Sequence, residues 1–298
     1  MRILVTGAGG FTGLNLVKKL VLEGHDVYGL TKRVIEFSHP KLHLIIKDLF
    51  DINDIEGLDV DVIYHIAARV NFDESESSIS QLTRDNIIST SNLADFAVKN
   101  KVKKFIYSSS CSVYRENYKK EKVVSENYIL RPINLYAVSK LTSEWILENK
   151  LRGEIDEFIV LRYSSIYGYG QRASSIIPIF IDNAINNKDL NILGSGNRVQ
   201  DYVFIDDVIQ ANHNCLDYSL PFNTILNIGS GEQITDLVLA KCITDNWNSS
   251  SKINVFDKLD SKETYFNYDI KKAQKLIGFQ PSNLIDGLKK YKNRIETK

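Results

Sequence analysis

The sequence predicts an α/β fold: a parallel sheet covered by helices on both faces, with a smaller lobe towards the C-terminal end. Three observations predict it. Short apolar runs alternate with amphipathic, helix-length stretches through the first half, the pattern of repeated strand–helix crossovers. The opening run, Ile3-Leu-Val-Thr-Gly7-Ala-Gly-Gly10-Phe-Thr-Gly13, places glycine at every third position between a strand and a helix. Beyond Gly168 the alternation loosens, and 298 residues suffice for one large domain plus a smaller lobe.

Bulk properties narrow the function. A hydrophobic fraction of 43% suits a well-filled core, and a formal net charge of zero offers nothing to nucleic acid or a membrane surface. No apolar run approaches the ~20 residues needed to span a bilayer. The sequence opens on a strand, which reads against a secretory leader. Cys111, Cys215 and Cys242 are odd in number and widely separated, as expected of a reducing compartment, so the expected location is cytoplasmic.

The opening turn needs glycine because only glycine takes a left-handed backbone freely and lets an anion approach the main chain. The helix that follows begins near Phe11 and Thr12, so its free amides and positive dipole end face whatever lies in the turn. A dinucleotide pyrophosphate is the natural occupant, held by Gly7, Gly10, Phe11, Thr12 and Gly13. This T-G-x-x-G-x-x-G form resembles the short-chain dehydrogenase/reductase superfamily. Gly10-Phe11-Thr12-Gly13 is similar to its extended branch, the NAD-dependent epimerase/dehydratase family. The resemblance implies a Rossmann-like doubly wound parallel sheet with a smaller C-terminal substrate-binding lobe. It assigns 1–168 to the NAD(P)-binding domain, with 224–247 rejoining it, and 169–223 plus 248–298 to the lobe. It also implies a nucleotide-sugar substrate, and a homodimer formed through helices such as 78–99 and 135–150.

His25-Asp-Val-Tyr-Gly-Leu30 reads as the second strand. The residue beyond it faces the adenosine ribose in this fold; an acid there favours NAD, and a cation accommodates the extra phosphate of NADP. Here stand Thr31-Lys32-Arg33, with no acid in that stretch to repel a phosphate, so NADP(H) is the preferred cofactor and NAD(H) a possible one. Leu42 to Ile46 is the third strand, and the resemblance sets Asp48 and Leu49 against the adenine. Asp61 to Ala68 is the fourth, where Ala67 and Ala68 leave room for the cofactor. His65 is expected to be packed at a strand end rather than to act as a base. A long helical pattern carries Ile79, Leu82, Leu93 and Phe96, and within it Asn86 matches a bracing asparagine of the family.

Lys104 to Ser110 is the fifth strand, leading to Cys111-Ser-Val-Tyr114. This resembles the family segment S-S-[ST]-x-x-V-Y, which makes Ser110 the catalytic hydroxyl and leaves Ser108 and Ser109 as strand-end residues. Dehydratases of the family carry Asp-Glu where this chain has Cys111-Ser112, and neither is a good acid at neutral pH, so that reaction is not expected. Four Tyr/Lys pairs stand four residues apart: Tyr28/Lys32, Tyr118/Lys122, Tyr136/Lys140 and Tyr268/Lys272. Only Tyr136/Lys140 joins a helix start to an upstream serine strand. Moving a hydride between an alcohol carbon and nicotinamide requires a proton to move with it, and a phenol is a poor base until a cation favours its phenolate. Four residues along a helix bring Lys140 to the same face as Tyr136, while Ser110 would hold the substrate oxygen.

Phe158 to Gly168 is the sixth strand and its exit, similar to L-R-x-x-N-x-Y-G with Ser165 in place of asparagine. A helix at Ile176 to Asn186 and a strand at Leu190 to Leu193 follow. Asp201 to Val208 is similar to R-D-[FY]-V-x-V, but Gln200 replaces the arginine that family members aim at a diphosphate. Arg198 stands two places earlier on the same strand face and is the candidate replacement. Thr224 to Gly231 reads as a strand rejoining the main sheet, then a helix from Ile234 to Trp247, a strand from Lys252 to Phe256 and a closing helix after Pro281. The nearest cation to a second expected arginine is Lys262. No internal repeat, low-complexity tract or metal-ligand cluster is found. The leading reading is an NADPH-dependent keto-sugar reductase with Tyr136 as acid/base; the alternative is an NAD-dependent nucleotide-sugar epimerase. More remote are a reductase of a non-sugar ketone and a cofactor-sensing protein without turnover.

Overall fold

The first-half alternation of apolar runs and amphipathic stretches produces parallel strands, because each helix carries the chain back across the sheet before the next strand begins. The computed structural model describes residues 1–70, 75–116, 123–256 and 264–297. Its main sheet is built from β1 (Arg2–Thr6), β2 (Asp26–Thr31), β3 (Leu42–Ile46), β4 (Val62–His65), β5 (Lys104–Ser110) and β6 (Glu157–Tyr163). α1 (Phe11–Leu22) joins β1 to β2, whereas β2 runs to β3 without a helix and β3 to β4 through a 3₁₀ stretch, Leu49–Asp54. α2 (Glu76–Leu82), a π-helical stretch (Thr83–Ile88) and α3 (Ser89–Lys99) join β4 to β5, and α4 (Leu135–Leu151) precedes β6. The expected long helix is therefore interrupted by a π turn at its middle.

Of the remaining elements, β7 (Ser165–Tyr167), α5 (Ile176–Ile185), β8 (Leu190–Leu193), β9 (Val199–Gln200), β10 (Tyr202–Phe204), α6 (Ile205–Asp217) and β11 (Thr224–Ile228) come first. They are followed by β12 (Ile234–Thr235), α7 (Asp236–Trp247), β13 (Ile253–Phe256), α8 (Lys271–Ile277) and α9 (Leu284–Glu296). The sheet order is β11-β6-β5-β4-β1-β2-β3, with every pairing parallel. The order reverses between β1 and β4, so the loops leaving those two strands diverge and open a crevice at their carboxyl ends. β11 extends the sheet beside β6, as the sequence predicts.

Alternate strand residues feed two cores. Ile3 and Val5 meet Leu16 and Leu20 of α1 and Val208 and Ala211 of α6, whereas Leu4 and Phe105 turn to Leu93 and Phe96 of α3. α6 lies within the 169–223 segment that the sequence assigns to the smaller lobe, yet it covers the sheet. Tyr64 on β4 donates to the Asn212 carbonyl at 2.8 Å. The buried Lys104 ammonium on β5 donates to the carbonyls of Cys215 at 2.7 Å and Tyr218 at 3.1 Å, capping the end of α6 where the helix dipole is negative. Three short pairs, β7–β10, β9–β12 and β8–β13, stand apart from the main sheet. All three cysteines are free thiols, and among the described residues no helix is long and apolar enough to cross a membrane.

Candidate active site

The crevice is floored by the glycine turn. Gly7 holds φ +70°, and a Cβ there would lie 2.8 Å from the backbone of Ala67. At Gly13 a Cβ would stand 2.1 Å from the Gly7 carbonyl oxygen. Glycine is thus demanded by close approach as well as by backbone angle. Gly9, not singled out from the sequence, is equally tight: a Cβ there would meet the Thr31 hydroxyl at 2.7 Å. Gly10 is the N-cap of α1 and provides no side-chain cap, so the first-turn amides of Phe11, Thr12 and Gly13 are presented by backbone alone. The Phe11 ring turns to the core beside Gly168. A main-chain cradle at a helix N-terminus fits a dinucleotide pyrophosphate.

Across the switch point, Thr6 closing β1 joins the turn to β4. Its hydroxyl accepts from the Ala67 amide at 3.1 Å and pairs with His65 Nδ1 at 2.9 Å. The other ring nitrogen of His65 meets the Thr90 hydroxyl at 2.8 Å. Burial and the Lys140 charge push the His65 pKa down to about 3. His65 is therefore a neutral, packed strand-end residue, as expected. Ala68 is exposed, while Leu49 is buried in the second core.

Beyond β2 one of the cations that the sequence offers is already partnered. Thr31 is buried and Arg33 exposed, but the Lys32 ammonium is 3.0 Å from Asp48 and 3.7 Å from Asp85. Carboxylates absent from the local sequence arrive from elsewhere in the fold. Arg84 also reaches Asp48 at 2.9 Å, and Arg69 reaches Asp85 at 2.8 Å. Partial burial works against the Asp48 charge, but the Phe50 amide, Arg84 and Lys32 outweigh it and hold its pKa below the ordinary carboxylate value. A 2′-phosphate would have to compete with Asp48 and Asp85 for Lys32, which weakens the case for preferring NADP, while Arg33 stays exposed.

Tyr136, Lys140 and Ser110 converge, as the spacing predicts. Asn134 caps α4 by accepting from the Ala137 amide at 2.8 Å, which starts the helix one residue before Tyr136. The Tyr136 hydroxyl is hydrogen-bonded to Ser110, the last residue of β5. One turn on, Lys140 Nζ donates to the Ser108 carbonyl at 2.6 Å and lies 6.0 Å from the Tyr136 ring centre. The electrostatics differ from expectation. Burial pushes Tyr136 up to about 12, opposed by Ser110. It brings Lys140 down to about 7, opposed by Glu144. Burial of the phenol thus outweighs the hydrogen bond from Ser110.

One support escaped the sequence, and a second fills the bracing role that the resemblance implies. Glu144, one turn beyond Lys140, forms a buried bidentate pair with Arg162 of β6, Nε to Oε1 at 3.0 Å and Nη2 to Oε2 at 2.6 Å, and accepts from Ser109. The K-x-x-x-E spacing was the available signal. Asn86, inside the π turn, bridges the two halves of the site. Its side chain accepts from the Arg69 amide at 2.7 Å and donates to Ser139 at 2.9 Å, while its carbonyl accepts from Ser143.

The lobe-side candidates are less closely tied to this centre. Ser165 on β7 registers with Tyr202 of β10, and its amide donates to the Asp201 carbonyl. Gln200 pairs with Ile234 across β9–β12. The Arg198 guanidinium is held by Asp236 at 3.3 Å, so its charge is already balanced. Asp201 is buried and pushed up to about 6, while the Ser230 and Gly231 amides and the Ser164 hydroxyl donate to it. Tyr118/Lys122 and Lys262 lie outside the described residues. Among the described residues no cluster of His, Cys, Asp and Glu could hold a metal ion.

Residues 3–229 match the NAD dependent epimerase/dehydratase family. A protein of Methanocaldococcus jannaschii provisionally named UDP-glucose 4-epimerase is 33% identical over 306 residues, covering 98% of this chain and 97% of the other. The crystal structure of a UDP-glucose 4-epimerase with UDP-glucose from Thermotoga maritima superposes with a TM-score of 0.88 at 27% identity, covering 100% of this chain and 99% of that one. That of UDP-glucuronic acid 4-epimerase from Bacillus cereus in complex with NAD gives 0.85 at 27% identity, with the same coverage.

Proposed function

The chain belongs to the NAD dependent epimerase/dehydratase family, and from that premise we propose that it is a nucleotide-sugar epimerase acting on a UDP-linked hexose with NAD as resident cofactor. The observation that carries this reading is a single exchangeable acid/base, Tyr136, hydrogen-bonded to Ser110 and followed by Cys111-Ser112 rather than a pair of carboxylic acids. An epimerase needs one group that takes a proton and returns it, whereas loss of water needs further acids. Similarity to 4-epimerases along the whole chain supports the same choice over the keto-sugar reductase that the local sequence favours.

Gly7, Gly10, Phe11, Thr12 and Gly13 would hold the pyrophosphate; Thr31, Lys32, Arg33, Asp48, Leu49, Ala67 and Ala68 would border the adenosine side. When bound, the nicotinamide supplies reversible hydride acceptance and, oxidised, a positive charge. Tyr136 removes the proton of the reacting sugar hydroxyl and returns it after the ketone has turned over. Ser110 donates to that oxygen, and Lys140 supplies positive charge beneath the phenol. Ser165, Arg198 and Gln200 would border the sugar nucleotide from the lobe formed by 169–223 and 248–298, α6 excepted. Pairing of two copies through 78–99 and 135–150 is supported by Trp145, 56% exposed on α4, and by Ile88 and Val138 outside the core; sedimentation tests it.

The test is turnover of a panel of UDP-hexoses. Interconversion of epimers with no net change in cofactor, lost in Tyr136→Phe while NAD binding persists, is the expected result. Stoichiometric consumption of NADPH with a keto-sugar would establish the reductase instead, and full activity of Tyr136→Phe would remove Tyr136 from the chemistry.

A further inference from the structure

Immediately after β5 the chain makes one 3₁₀ turn, Cys111–Val113, which folds Ser112 back over Ser110. Two donors from the same residue then converge on one oxygen. The Ser112 amide lies 3.2 Å and the Ser112 hydroxyl 2.9 Å from Ser110 Oγ, and both donate to it. A serine hydroxyl offers two lone pairs and one proton. With both lone pairs taken, Ser110 has only its O–H left, and the partner on its other side is the Tyr136 hydroxyl.

We propose that Ser112 is a positioning residue that makes Ser110 a one-way donor towards the Tyr136 oxygen and the substrate oxygen beside it. The proposal rests on the reading of Tyr136 as acid/base. Its consequence is directional. Ser110 stabilises the phenolate by donating to it but cannot accept the phenol's own proton, so that proton is left for the sugar oxygen. Removing the Ser112 hydroxyl frees one lone pair. Ser110 can then turn and accept from neutral Tyr136, stabilising the form that cannot act as a base. Among the described residues the other groups around the phenol are Lys140 on α4, with Glu144 behind it, Tyr107 on β5, and His65 of β4, which borders Lys140. None of them touches Ser112, so its replacement leaves the surrounding charges in place.

The test is titration of the phenolate absorbance of the NAD-loaded protein, with the Tyr136→Phe spectrum subtracted to isolate Tyr136. Ser112→Ala should raise the ionisation midpoint by about one pH unit, the worth of one exchanged hydrogen bond. Ser112→Thr, which keeps the hydroxyl, should restore it. A midpoint unmoved in Ser112→Ala, or one that moves equally in Ser112→Thr, overturns the proposal. Neither result touches the epimerase reading, which stands or falls on whether the native protein interconverts UDP-hexose epimers with no net change in cofactor.

Discussion

Lys140 should cost the cofactor-free chain stability while serving its chemistry, and replacing it by methionine separates the two. Methionine keeps the length of the stem and removes the charge. The structure buries the ammonium and lowers its pKa from 10.5 to about 7. At about 1.4 kcal/mol per unit, holding that charge inside costs about 5 kcal/mol relative to the unfolded chain. Loss of the 2.6 Å bond to the Ser108 carbonyl leaves a buried acceptor bare, worth about 1–3 kcal/mol in the other direction. Lys140→Met should therefore gain about 2–4 kcal/mol at pH 6. A depressed lysine pKa contributes stability above the unfolded value that is lost as pH falls through the folded one. The variant's advantage is consequently full below about pH 7 and fades as pH rises to 10.5, above which both states of the native chain are neutral. Urea unfolding at pH 6 and pH 10, with dinucleotide removed, measures this, and a turnover assay should find the variant inactive. A variant less stable than the native chain at pH 6, or an advantage equal at both pH values, would refute the reasoning.

Glu144→Gln should lose about 3–5 kcal/mol in urea unfolding, because it leaves the buried Arg162 guanidinium without its carboxylate, whereas the double variant Glu144→Leu/Arg162→Leu should regain most of that loss. Equal stability of the single and double variants would show that the pair is not acting as one unit. Gly13→Ala should weaken NAD binding by about tenfold or more, since its methyl would stand 2.1 Å from the Gly7 oxygen and force the cradle open. Fluorescence titration with NAD checks this, and an unchanged affinity would move the pyrophosphate elsewhere.

What the sequence made legible was local. The glycine turn, the capped start of α4 and the four-residue step from Tyr136 to Lys140 are each set by neighbours a few residues away, so spacing alone places them. The return of β11 was legible because its run, Thr224 to Ile228, is closed by a Gly229-Ser-Gly231 turn. Pairings over distance were not. Lys32 looked like a phosphate ligand until the fold brought it Asp48 and Asp85, residues that no periodicity connects to it. The acidity of Tyr136 was misjudged for the same reason. Spacing locates the ammonium, but the depth of burial, which here raises the pKa of the phenol, depends on every element packed around the site.

The last strand of the main sheet is also the last to be synthesised. β6 is complete at Tyr163, yet its neighbour β11 begins only at Thr224, so a chain still on the ribosome carries a bare β6 edge through the whole of the intervening segment. Such an edge is a template for pairing with the wrong chain. The side chains that finish the join, Asn227 accepting from Tyr114 and donating to the Val124 carbonyl, arrive with that strand. A fragment ending at Gly168 should accordingly aggregate, and chaperone dependence during translation should end once β11 has left the exit tunnel.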